Sequence, residues 1–146
     1  MGDGVSSEFN LLLQERKLLR ARTTRGMIVK EIRAAETDLH DARDSLKQNK
    51  FKWATIQAYY SMFHSARALL YQRGYREKSH YAMLVALREL FSRELGTDLI
   101  NRFEDGMDLR QEADYGLKFS ETGALETLEG AEELLKKTKE LLKIKP

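Results

Sequence analysis

The chain has no cysteine at all. Disulfides and thiolate chemistry are therefore excluded, and the composition fits a reducing cytoplasm. Its one proline is the last residue, Pro146, so only glycines interrupt helical segments. No apolar run approaches the length of a membrane span, and no signal peptide is visible, so no membrane association is expected. No stretch alternates with period two for more than a few residues, and the expectation is a protein without a sheet. The generic phosphate-loop, dinucleotide, zinc-protease and nucleophile-elbow motifs are all missing. Neither a metal nor a cofactor is expected.

What is present is helical. At 146 residues the chain is read as one domain over residues 8–146, behind a flexible start at residues 1–7. It can bury about two-thirds of its unfolded surface without a staple. Apolar residues recur at helical spacing over Glu8–Arg22, Thr24–Gln48, Lys52–Arg73, Ser79 to Arg93 or Glu94, Asp98–Asp114, and from Ser120 or Thr122 to Lys143. Gly74 and Gly96 read as helix stops, Ser79 as an N-cap, and Gly106 as a weak point in its segment. Glu121 and Glu126 suit the positive start of the last helix. Short links between five or six helices predict an all-α, antiparallel up-and-down bundle.

The segment Phe51–Tyr81 holds most of the aromatics, including Trp53, which is expected in the core with Phe63 and Leu70. Ile56, Tyr59, Phe63, Ala66 and Leu70 make an apolar stripe. Tyr60, His64, Arg67 and Tyr71, at steps of four, three and four, make a second stripe. A guanidinium and an imidazole one turn apart, flanked by aromatic rings, suit a phosphate and a stacked base. The alternative is that they pack against neighbouring helices with their polar tips satisfied. His80 lies on the neighbouring element and is a further candidate. His40 and Asp44 have the spacing of a two-ligand clamp, but a surface hydrogen bond explains them better.

Net charge is only +2, yet it is unevenly spread. Arg43–Lys78 carries eight basic residues against Asp44 and Glu77. Glu104–Asp114 carries five acidic residues against Arg110 alone. Such faces either attract one another, within or between chains, or make a basic lip beside a phosphate site.

Three stretches resemble one family. AYYSMFHSARALLYQRG followed by KSH, then LRQEADYG at Leu109–Gly116, then ETLEGAEELLKK, are similar to HEPN-domain proteins of the small prokaryotic type over roughly Lys30–Leu142. The resemblance implies an up-and-down bundle that forms a two-fold dimer with a cleft near its axis. It also implies pairing with a small nucleotidyltransferase, often as toxin and antitoxin, and in several members metal-independent ribonuclease activity. The ribonuclease pattern is an arginine, a polar follower and a histidine five positions after the arginine. Arg110 and Gln111 match, but Tyr115 stands in the histidine position, and Leu117 replaces a tyrosine found in some toxins. An unperturbed phenol titrates near 10 and is roughly 0.1% ionised at pH 7, which makes it a poor base.

The reading is therefore a homodimeric, cytoplasmic, nucleotide- or RNA-binding bundle with a degenerate ribonuclease motif and a nucleotidyltransferase partner. Arg110, Arg67, His64, Tyr60, Tyr115 and His80 are the expected phosphate-binding set, with Arg110, His64 and Tyr115 as the candidates for any chemistry. The rivals are an active ribonuclease toxin using Arg110 with His64 or His80, and a purely structural bundle.

Overall fold

The computed structural model describes residues 6–145. It contains helices α1 (Ser7–Gln14), α2 (Arg25–Lys47), α3 (Phe51–Gln72), α4 (His80–Leu95), α5 (Thr97–Tyr115) and α6 (Glu121–Leu142). Two short strands, β1 (Leu18–Arg20) and β2 (Tyr75–Glu77), lie between them. Most of the start expected to be flexible lies outside the described residues. Within them, Ser6 caps α1 and Ser7 opens it.

The bundle forms around α3. It packs against α2, α5 and α6, and α4 closes over α5. Nearly every side of α3 is covered by these neighbours. Ile56, Tyr59, Phe63, Ala66 and Leu70 are all buried, as their stripe predicts. Met62 shows how closely the helices approach. A Cβ added at Gly106 of α5 would lie 3.0 Å from Met62 Sδ, and one at Gly130 of α6 would lie 2.9 Å from Met62 Cε. Gly106 is therefore no weak point: α5 runs through it unbroken because the missing side chain is what lets α5 meet α3.

The local stop and start signals are realised in most places. Gly74 follows the last turn of α3 at φ +79°, the left-handed region that suits glycine. Thr24, Ser79 and Ser120 accept hydrogen bonds from the backbone N–H of Met27, Ala82 and Gly123 at 3.2, 3.0 and 3.0 Å. Ser120→Ala is expected to cost about 1 kcal/mol of stability. Urea melts should show a lower midpoint with an unchanged slope.

Two expectations fail. The first concerns the helix over Glu8–Arg22 and the absence of any sheet. The helix stops at Gln14, Arg16 turns the chain at φ +60°, and β1 pairs antiparallel with β2, Leu18 opposite Glu77 and Arg20 opposite Tyr75. Three-residue strands are too short to leave a period in the sequence. Phe9 and Leu12 are the buried face of α1, but beyond it Leu18 is fully buried beneath the ribbon, so the apolar spacing there marks a plug and not a continuing helix.

The second is Trp53, which is 51% exposed. Trp53, Gln57, Tyr60, His64 and Arg67 form the one stripe of α3, within the span Trp53–Tyr71, that other helices leave partly open. Trp53 extends the polar stripe by a step of seven. Lys52 places its ammonium 5.0 Å from the ring centroid.

Candidate functional site

The open stripe of α3 divides into two groups of side chains, with Phe63 between them. In the first group α3 faces α2 and β2. Arg67 grips Glu77 with Nε at 3.1 Å and Nη2 at 2.8 Å, and its Nη1 lies 3.5 Å from Glu31. His64 holds Glu31 through Nδ1 at 2.8 Å and faces Asp38 through Nε2 at 3.5 Å. Glu77 is only 6% exposed, so its charge depends on Arg67. Burial alone would raise the Glu31 carboxyl, but His64 and Arg67 outweigh it and hold it below its ordinary value. Both candidates of this group, Arg67 and His64, already have carboxylate partners.

The second group joins α3, α4 and α5. Arg110 comes from α5 and is 7% exposed. Its guanidinium carbon lies 5.2 Å from the Tyr59 ring centroid and 5.7 Å from that of Tyr60. Its one nearby acid is Asp114, with Nη1 to Oδ2 at 3.8 Å, too long for a hydrogen bond. Its Nε is buried and has no hydrogen-bond partner among the described residues. A buried donor without a partner costs stability and calls for an explanation.

Tyr59 links this arginine to an imidazole. The Tyr59 hydroxyl lies 2.7 Å from Nδ1 of His80, the first residue of α4. The His80 ring also packs on Phe63, with centroids 4.6 Å apart. Burial, then the Arg110 guanidinium, push the His80 imidazole below its ordinary value; Glu77 and Arg67 act in opposite directions and more weakly. Burial drives the Tyr59 phenol far above its ordinary value, so it keeps its proton. The result is a cation over the ring of a protonated phenol whose hydroxyl meets an uncharged imidazole.

The structure thus brings Arg110, Tyr60 and His80 together. His64 and Arg67 sit along the same helix in the ion-pair group, and His64 and His80 lie against Phe63 without a hydrogen bond between them. Tyr115 is 74% exposed at the end of α5. His40 and Asp44 form a solvent-exposed pair at 3.3 Å. Among the described residues no group of three ligating side chains is placed to hold a metal ion. A cleft of about 530 Å³ lies elsewhere, between α2 and α6, and four of its charged residues form the Arg43–Glu132 and Lys139–Glu36 pairs.

Sequence reasoning missed Tyr59 as a polar participant, and Glu31, Asp38 and Glu77 as partners. Glu77 had a signal: it is the one acid between Lys50 and Lys78. Glu31 and Asp38 had none, because only the packing of α2 on α3 places them.

A family comparison bears on the whole bundle. The model of the HEPN domain matches residues 29–146, from inside the N-terminal part of α2 onward. The chain belongs to the HEPN domain family. A UPF0332 protein of Archaeoglobus fulgidus is similar to it, 33% identical over 112 residues that span 74% of this chain and 89% of that protein. In this HEPN domain the arginine of LRQEADYG is the buried Arg110, and the histidine of KSH is the one that reaches it through Tyr59. The segment before residue 29, with α1 and β1, lies outside the HEPN match and packs on α4 and β2. No described helix is long and apolar enough to cross a membrane.

Proposed function

We propose that this HEPN domain binds a nucleotide or RNA by a phosphate group at Arg110, and that it partners a small nucleotidyltransferase in a toxin–antitoxin type system. The observation that carries the binding reading is the unspent guanidinium. Arg67 and His64 already have carboxylate partners in Glu77, Glu31 and Asp38, whereas among the described residues Arg110 has a buried Nε without an acceptor and only a long contact to Asp114. A phosphate would supply charge-assisted acceptors to that group. Tyr60 and Trp53 on the open stripe offer rings on which bases stack.

The nucleotidyltransferase partner and cytoplasmic setting rest on the family and on the missing cysteines. A homodimer is supported by apolar side chains left in solvent, among them Trp53, Tyr115, Leu117 and Phe119. Efficient cleavage is not part of this reading, because the phenol of Tyr115 replaces the imidazole of the ribonuclease pattern. The ribonuclease alternative keeps one support, the presence of His80 beside Arg110.

The test is fluorescence anisotropy with a labelled short single-stranded RNA over a range of salt. Binding should weaken as salt rises, with a logarithmic slope of about −0.7 for each phosphate neutralised. Absence of binding, or affinity indifferent to salt, would contradict the reading.

A further inference from the structure

We propose that His80 is the second phosphate-contacting group of this site, its Nδ1 closed by Tyr59 and its Nε2–H offered, together with Arg110, to the non-bridging oxygens of a phosphodiester. The inference rests on the binding role of Arg110 and adds to it a second donor and a ligand class.

The tautomer of His80 is set by one proton. Tyr59 is fully buried, and its hydroxyl lies 2.7 Å from His80 Nδ1. The Arg110 guanidinium lies over the Tyr59 ring and favours negative charge on its oxygen, so it faces the oxygen's lone pairs and not its proton. A hydroxyl proton turned toward a cation would be unsatisfied and repelled, so the proton points at Nδ1. An imidazole that accepts at Nδ1 and is uncharged carries its own hydrogen on Nε2. The groups facing the ring agree. Arg110 from α5 and Arg67 from α3 disfavour a second proton on His80, and Glu77 from β2, which favours one, is already gripped by Arg67. Tyr60 and Phe63 contribute only ring faces.

The position reinforces this. His80 opens a helix of 16 residues, where the backbone dipole favours an anion. Independently, the Nε of Arg110 is a buried donor without an acceptor, next to the same Tyr59 ring. A phosphodiester has two non-bridging oxygens, and the site offers two kinds of donor. An imidazole fixed this way serves as a donor and not as a base, since Nδ1 is occupied and Nε2 is already protonated. That accounts for recognition of RNA without efficient cleavage.

The probe is a short oligouridylate, with uridine, which lacks the phosphate, as the control. Binding is measured for wild type, His80→Ala, His80→Gln and Arg110→Ala, each checked for folding by circular dichroism. His80→Ala should weaken oligouridylate binding about tenfold. His80→Gln should recover most of it, because its amide N–H reaches a similar place. Uridine should bind none of the proteins appreciably. Nitrogen NMR of the histidine rings at neutral pH should show His80 in the Nε2–H form, and oligouridylate should shift that signal. If His80→Ala binds like wild type while Arg110→Ala is weakened, the role of His80 is overturned and that of Arg110 stands. If Arg110→Ala also binds like wild type, the phosphate site itself is wrong. An Nδ1–H tautomer or an imidazolium at neutral pH overturns the donor assignment directly.

Discussion

Phe63→Ala should lower the free energy of unfolding by about 3–5 kcal/mol, the usual loss for deleting a packed aromatic ring. Phe63 is 6% exposed and touches both groups of the site. The Arg67 guanidinium carbon lies 4.7 Å from its ring centroid, the His80 ring 4.6 Å and the Tyr59 ring 6.2 Å. Truncation to a methyl leaves a void beneath His80 and removes the surface on which Arg67 lies. The neighbours are unable to refill it cheaply, because Arg67 is tied to Glu77 and His80 to Tyr59. Urea melts followed by circular dichroism give the number. A loss below about 1 kcal/mol would mean that the ring is solvated and that α3 is rotated from the orientation described here.

The second large effect separates stability from binding. Arg110→Ala should weaken RNA binding by about 1.5–3 kcal/mol, the range for a hydrogen bond to a charged group. The fold should feel the change less. Among the described residues the Nε of Arg110 is buried unpaired and the arginine's contact to Asp114 is long, so its polar part contributes little to holding α5 in place. Arg110→Met makes the point sharper. It keeps an unbranched stem against Tyr59 and Tyr60 and removes a desolvated charge, so stability should be unchanged or raised while affinity falls. Thermal melts and anisotropy on the same samples check both halves. A collapse of stability in Arg110→Met, at unchanged affinity, would show that the arginine is structural.

Much of the fold is legible from short-range signals. The serine and threonine caps, the stop at Gly74 and the period of the long helices place α2, α3, α4 and α6 to within a few residues. The ribbon of β1 and β2 is not legible, because its register is set by contact between segments more than fifty residues apart. Trp53 is a different case. Seven residues before Tyr60, it belongs by helix geometry to the polar stripe, and its hydrophobicity outweighed a phase the sequence already contained. Tyr115 is similar. Five residues after Arg110 at about 100° per residue, it points roughly 140° away from it on the helix. For the site, LRQEADYG and KSH supply Arg110 and His80. Which imidazole meets the arginine depends on how α4 and α5 cross α3. That is a tertiary fact, and it is why the sequence alone put His64, and not His80, among the candidates for chemistry.

The central claim is that Arg110 is held for a phosphate. Its most direct test is a crystal structure of the protein with a short oligonucleotide bound. The account predicts a phosphate oxygen about 2.7–2.9 Å from the Arg110 guanidinium, the usual length of a charge-assisted bond, with His80 as its neighbour. A phosphate seated instead on the basic residues at Lys47, Lys50 and Lys52, with Arg110 still unpaired beside Tyr59 and Tyr60, would contradict it.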